Sequence, residues 1–432
     1  MRLKNRMDNK KNIAFQCILL GVLQVISLKV PIVSIVTLLF ALVFLVVSSA
    51  DKCIYYLFFL LPFAPIFKYD MQGFAFFNIV ELVTVIKLLY IGRFKLQKKS
   101  AYLVFISGVY IFINSLSVGY VDSLRFIISV ILGLLIMKSA RSGEINLLSV
   151  VRYVSSGMII TSFIGLFKDL FPRLNELFSS SAIKIAEGNL YYRFAGVNGN
   201  PNHYTFILTI VLACYAGLLI KNKLKTIDYF YVITIVIFGV MTVSKSFLLS
   251  LAIIVAMTIY ELGKKNVRAY IPTIIVALLV VTIVYCARNT NAIYTILFRL
   301  QQDSNTDSLA DITTGRTGIW ITYLRYFGEN IGALIFGKGV GVNYFQLIGR
   351  APHNTYIESV LYLGILGTVL VGSALFACVH VNKDIRTKKL YSWIPYICFF
   401  VRLFAINLLI QEQFIFSLVM CSMALIEYDD NK

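Results

Sequence analysis

The sequence predicts an all-α fold, a polytopic membrane bundle of about fourteen transmembrane helices with two long outer loops. Three observations predict it. The 432 residues are 59% hydrophobic and only 14% charged, with a mean hydropathy of +0.80. The apolar residues fall in long runs. The basic residues cluster in the short connections between alternate runs. A soluble domain of this length could not hide so much apolar surface in one core.

Taken in order, the chain opens on the basic stretch MRLKNRMDNKKN. The apolar run after it continues as an ordinary span without a small-residue cleavage site, so no cleavable signal peptide is expected. Apolar segments follow at 13–28, 31–49, 53–67, 74–92, 101–118, 121–140, 146–167, 202–220, 228–243, 246–262, 270–287, 356–380, 391–408 and 411–426. Several reach the roughly 20 residues needed to cross a bilayer core, whereas 53–67 and 228–243 are short for it. With a cytoplasmic N-terminus, the inner side receives RLKNR, Lys52, GRFKLQKK, KSAR, KNKLK, KKNVR, NKDIRTKK and Lys432. Most of the formal charge of +19 therefore follows the positive-inside pattern and says nothing about nucleic acid. Both termini are expected in the cytoplasm of a bacterial cell, the chain crossing its plasma membrane many times.

This threading divides the chain into N-terminal helices at 1–167, an outer loop at 168–201, central helices at 202–287, a longer outer loop at 288–355, and C-terminal helices at 356–432. Loops of this length in a compact bundle are usually functional or disordered. Their mixed apolar and aromatic content, as in NLYYRFAG and GIWITYLRYF, predicts ordered and partly helical caps. No internal repeat is visible, which removes the inverted-repeat logic of secondary transporters. The seven cysteines sit in or beside spans and form no CxxC pair, and there are three histidines. Neither a structural zinc nor a disulfide framework is expected.

Residues suited to chemistry concentrate in the outer loops. The first carries YYRFAGVNGNPNH, with Arg193, Gly196, Asn200, Pro201, Asn202 and His203. The second carries TTGRTGIW, with Arg316 and Trp320, then FGKGVGVN, then APHNTYIESVLYLGILG, with His353 and Asn354. Over residues 190–375, the order of these elements resembles the O-antigen polymerase and ligase superfamily (Wzy-type). The shared features are an Arg followed by Gly and an N-P-N turn, G-R-T-x-x-W in a long loop, F-G-x-G-x-G, and P-H-N opening an apolar helix.

The resemblance implies an all-helical, GT-C-like glycosyltransferase that works without metal or other cofactor. It would transfer glycan from an undecaprenyl pyrophosphate carrier to a hydroxyl acceptor on a second lipid-linked oligosaccharide. By position, Arg193 and Arg316 look like the pyrophosphate-binding arginines and His353 like the residue nearest the acceptor. Lys245, in V-S-K-S, stands where many relatives have arginine; it keeps the charge but loses the planar bidentate fork. Asn354, His203 and Arg402 are supporting candidates. Expected partners are the lipid-linked donor and acceptor and membrane lipid, and could include a flippase and a chain-length regulator, with no nucleic acid.

These residue types also suit that chemistry independently. A departing lipid pyrophosphate builds negative charge, which preplaced cations stabilise. Arginine grips phosphate oxygens in pairs and cannot deprotonate. The attacking hydroxyl needs a proton acceptor, and a histidine of ordinary pKa near 6.5 serves.

Structural roles stand beside these functional ones. Arg193 could anchor a loop to lipid headgroups, Arg316 could pair with Asp311, and His353 could be a satisfied residue at a helix start. Glu81, Lys87, Arg125, Arg152, Arg402 and Glu412 fall in or at the ends of spans, where charges face a cavity or a partner. Arg125, Arg402 and Glu412 lie toward the outer side in this threading and could extend the anion site; equally, Arg402 and Glu412 could pair only with each other. Asp303, Asp307 and Asp311 read as one solvated helix face, and FGKGVGVN as a turn. Polymerisation of capsular, exopolysaccharide or O-antigen repeat units is the leading expectation. A ligase of the same chemistry and a flippase or transporter of lipid-linked sugars are its rivals.

Overall fold

The computed structural model describes residues 2–91, 98–174, 177, 182–184, 190–264, 316–379 and 389–428. The expected span 270–287 and the acidic series Asp303, Asp307 and Asp311 lie outside the described residues. The apolar runs among the described residues fold mainly as helices. In chain order they are α1 (Arg2–Ser27), α2 (Ile32–Val47), α3 (Ala50–Leu60), α4 (Phe76–Tyr90), α5 (Lys98–Asn114), α6 (Val121–Arg141) and α7 (Leu147–Leu166). Then come α8 (Pro201–Ile220), α9 (Thr226–Met241), α10 (Lys245–Gly263), α11 (Arg316–Glu329), α12 (Ile331–Phe336), α13 (Tyr344–Ile348), α14 (Thr355–Val379), α15 (Ile394–Leu403) and α16 (Glu412–Glu427).

Among the described residues five helices are long and apolar enough to cross a membrane: Val121–Arg141, Leu147–Leu166, Pro201–Ile220, Lys245–Gly263 and Thr355–Phe376. At 1.5 Å per residue, about twenty residues match the thickness of a bilayer core. Shorter apolar helices cover Ile13–Ser27, Ile32–Val47, Ala101–Asn114, Thr226–Met241 and Leu390–Leu403. Large apolar side chains on α1, α2, α5 and α14, among them Phe15, Val47, Phe105 and Phe376, point outward. An aqueous surroundings would penalise that surface; lipid does not.

Within the bundle α8 is the central post, with almost every residue after its first turn buried. It packs against α7, α10, α15 and α16. Tyrosines tie the post to its neighbours: the Tyr428 hydroxyl donates to the Cys214 carbonyl at 2.6 Å, and Tyr215 meets Ser155 at 3.2 Å. At the opposite end from the loops described below, Arg152 of α7 grips Asp228 of α9 with two bonds of 2.6 Å. Lys87 of α4 donates to the carbonyls at the C-terminal end of α2, where the helix dipole favours a cation.

Three segments differ in detail from the sequence expectation. The run 53–67 is helical only to Leu60 and then tightens into a 3₁₀ turn over Leu61–Phe63, because Pro62 cannot continue the hydrogen-bond ladder. The first long loop contains 3₁₀ turns (Lys168–Leu170, Pro172–Leu174) and an antiparallel hairpin pairing Ala182–Lys184 with Leu190–Tyr192, so it is not simply a helical cap. The run 356–380 is interrupted: Gly364 adopts φ +66° and ψ 176° inside α14. There the backbone of the glycine turn after α12 presses against the break. A Cβ on Gly364 would stand 2.2 Å from the Ile335 carbonyl oxygen, and one on Gly337 would stand 2.5 Å from the Gly364 nitrogen. Tyr110 and Asn114 of α5 hold the same junction, donating to the carbonyls of Phe336, Tyr362 and Leu363. FGKGVGVN is thus a turn, as its glycines suggested, and its role is to lock a broken helix.

Candidate functional site

The start of α8 is built by its sequence. Asn200 caps the helix, its side-chain oxygen accepting the Asn202 amide at 2.9 Å, and Pro201 takes the first helical position, where its missing N–H costs nothing. Just upstream the loop lies flat on α7, since a Cβ on Gly165 would meet the Gly196 carbonyl at 2.3 Å. Arg193, at the head of this segment, reaches the C-terminal end of α9. Its Nε donates to the Thr242 carbonyl at 2.9 Å and its Nη2 to the Val243 carbonyl at 3.3 Å. Two of its donors therefore fasten a helix end whose carbonyls lack intrahelical partners.

Val243, held at φ +52°, turns the chain directly into α10. A β-branched residue in the left-handed region is rare, and such strain persists only where the surroundings fix it. Ser244 caps α10 and donates from its hydroxyl to the Asn202 side-chain oxygen at 3.0 Å. Lys245, half-buried, is the first residue of α10, between Ser244 and Ser246.

Arg402, near the end of α15, is completely buried. Its Nη1 donates to the Ser246 hydroxyl, and its Nη2 donates to the Asn202 carbonyl at 2.8 Å and the Thr205 hydroxyl at 2.7 Å. Its Nε has no partner. Every acceptor is neutral, and among the described residues Arg402 has no acidic partner. Glu412, a possible mate from the sequence, pairs instead with Arg125 at 2.8 Å, and Arg125 also contacts Asp122 at 3.1 Å. Asn78, with its amide turned to donate to Glu412, completes that separate cluster. The pairing of Arg402 with Glu412 is therefore corrected: Arg125 reaches the carboxylate first. Nearby charges make the isolation of Arg402 sharper, because both Arg316 and Arg193 act on it electrostatically.

Arg316 opens α11. One turn later Trp320 donates its indole N–H to the Pro352 carbonyl at 3.0 Å, and Tyr323 donates its hydroxyl to the Arg350 carbonyl at 2.7 Å. Residues four and seven apart share a helix face, so this face of α11 carries the 350–353 segment beside Arg316. His353 follows at φ +46°. Its ring is accessible yet surrounded by protein; that enclosure and then the Arg316 guanidinium hold its pKa below the ordinary 6.5. The neutral imidazole, able to accept a proton, is thereby favoured.

Asn354 has a structural job. Its side-chain oxygen accepts the Tyr356 and Ile357 amides at 2.9 and 3.2 Å, capping α14, and its own N–H donates to the Asn407 side chain at 3.0 Å. His203, in the first turn of α8, lies close enough to His353 and Arg402 to interact with both charges. From sequence it ranks only as a supporting candidate, since it belongs to no motif; its position directly after the Asn200-Pro201-Asn202 turn was the available signal. Three arginines and two histidines from both long loops, α8 and α15 thus gather at one end of the bundle. There α8, α10, α11 and α14 all begin, and α9 and α15 end. Beside them an apolar cavity of about 300 Å³ starts at Thr355 and Tyr356 and runs between α14, α15 and α16 past Phe399 and Leu418.

Against known proteins, the chain matches no family model, no curated protein and no solved structure.

Proposed function

We propose that this chain is a polysaccharide repeat-unit polymerase of the plasma membrane, with a GT-C-like bundle of about fourteen spans. It transfers glycan from undecaprenyl pyrophosphate to a hydroxyl of a second lipid-linked repeat unit on the outer face. One observation supports the reading: Arg402 is buried with no acidic partner among the described residues, under the influence of two further arginines. An uncompensated buried charge is costly, and a bound anion removes the cost. An apolar cavity starting beside these cations suits the isoprenoid chain of an amphiphile whose head is a diphosphate.

In the reaction the acceptor hydroxyl oxygen attacks C1 of the donor sugar. The bond from C1 to the phosphate oxygen breaks, and the lipid pyrophosphate leaves with the electron pair into the field of Arg402, Arg316 and Arg193. The hydroxyl proton passes to the neutral imidazole of His353. Attack opposite the leaving group inverts the anomeric centre. The sugar pyrophosphate bond is already activated, so transfer needs neither nucleotide nor divalent ion.

Purified protein supplied with synthetic lipid-pyrophosphate-linked repeats should yield a ladder of polymer that survives chelation of divalent ions. Arg316→Ala should abolish the ladder while the protein still inserts, and Arg316→Lys should lose most activity because the bidentate fork is gone. Full activity in both variants would remove Arg316 from the site. A deletion strain should still deliver single repeat units to the final acceptor; long polymer stranded on carrier would mark a ligase, and units trapped inside a flippase.

A further inference from the structure

We infer that Glu358 is a positioning residue that sets His353 relative to Arg402 through the link between α15 and α16. The inference rests on the proposed roles of those two residues. Glu358 lies in α14, five residues after His353, and is 2% exposed. One of its carboxylate oxygens accepts two backbone amides, Leu408 at 2.8 Å and Leu409 at 3.0 Å. Both amides belong to residues 404–411, which join the end of α15, with Arg402, to the start of α16.

Other bonds fasten the same short link to the first turn of α14. The Asn354 amide donates to the Asn407 side chain at 3.0 Å, and the Thr355 hydroxyl donates to the Ile406 carbonyl at 2.7 Å. Asn407 also meets the Tyr344 hydroxyl, so the same residue reaches α13 in the second long loop. The phenols of Tyr323, Tyr344 and Tyr362 lie within electrostatic range of the Glu358 carboxyl. Leu408 and Leu409 are themselves buried, so without Glu358 their amides would lack acceptors, a costly state. The link would move to find others. Its movement would be felt at once by Asn354, the neighbour of His353, and by Arg402 two residues before the link begins. A displacement on the order of 1 Å between proton acceptor and phosphate-binding group can cost about a hundred-fold in rate.

Both amides meet a single oxygen, which the side-chain carbonyl of glutamine can replace. Glu358→Gln should therefore keep activity near that of the unaltered protein. Glu358→Ala should lower kcat by on the order of a hundred-fold with little change in KM. Asn407→Ala, which leaves the Glu358 bonds intact, should lower kcat in the same direction and serves if Glu358→Ala fails to fold. Amide hydrogen exchange over 404–411 reads the link without any reaction: it should quicken in Glu358→Ala and stay slow in Glu358→Gln. Unchanged exchange in a folded Glu358→Ala, unchanged kcat in Asn407→Ala, or equal loss in the Gln and Ala variants would overturn the assignment. Because exchange needs no substrate, it decides the inference even if the protein makes no polymer.

Discussion

Arg402 illustrates how much one side chain can say when its partners are counted. A buried guanidinium held only by hydroxyls and a carbonyl contributes little to stability, and replacing such charges by apolar groups is often neutral or stabilising. Arg402→Met should thus leave the melting temperature unchanged or raise it, while transfer falls by on the order of a hundred- to a thousand-fold. A variant that loses stability and activity together would point to a structural role instead. For His353 the sign follows from its lowered pKa. The proton acceptor must be neutral, so kcat/KM should be flat at neutral pH and decline only as pH falls below 6.5 through the depressed value. That acid limb should vanish from the residual activity of His353→Ala; an inflection above pH 6.5 in the unaltered protein would contradict the assignment. Arg193, Arg316 and His353 could be picked from the sequence because each stands in a polar motif within a long loop. Arg402 could not be ranked with them. Its acceptors lie 156 to 200 residues earlier in the chain, and no local pattern joins Ser246, Asn202 and Thr205 to it.

Among elements, α14 departs most from what hydropathy conveys. The run 356–380 reads as one uninterrupted span, since composition does not report backbone torsion. The break at Gly364 was visible only indirectly, in the glycines of LGILG and of the FGKGVGVN turn that occupies it. Gly364→Ala should be severely destabilising, by about 2 kcal/mol or more, because alanine suffers both positive φ and a clash with backbone that cannot retreat. Gly372→Ala, on the same helix with open space where the Cβ would stand, should be harmless by thermal unfolding in detergent. Comparable losses in both would mean that the whole helix, and not its break, is sensitive. The helices of the second long loop, α11 to α13, followed from their aromatic content; the hairpin in the first did not, because three-residue strands carry too short an alternation to recognise.

For the whole molecule, burial and charge together supply a test of orientation. The described cysteines Cys17, Cys53, Cys214, Cys398 and Cys421 are all buried, so once Cys286 and Cys378 are replaced by serine an introduced thiol can be read against them. If the gathered arginines face outward, Gln346→Cys should react with a membrane-impermeant thiol reagent on intact cells, and Lys223→Cys only after permeabilisation. The reverse pattern would put the arginines in the cytosol and end the proposed function. The apolar helices were readable because hydropathy is a bulk property of long runs. The separate Arg125–Glu412–Asp122 cluster was not, since its members come from helices 287 residues apart.

The receptacle around Arg402 also bears on how the protein is made. Asn202, Thr205 and Ser246 are synthesised well before α15, so α8 and α10 can already be embedded when the arginine leaves the ribosome. A ten-residue helix carrying a cation would enter bare lipid poorly. Met by hydroxyls and a carbonyl already in place, it need never be solvated by hydrocarbon alone, and the order of the genetic message becomes part of how α15 is delivered.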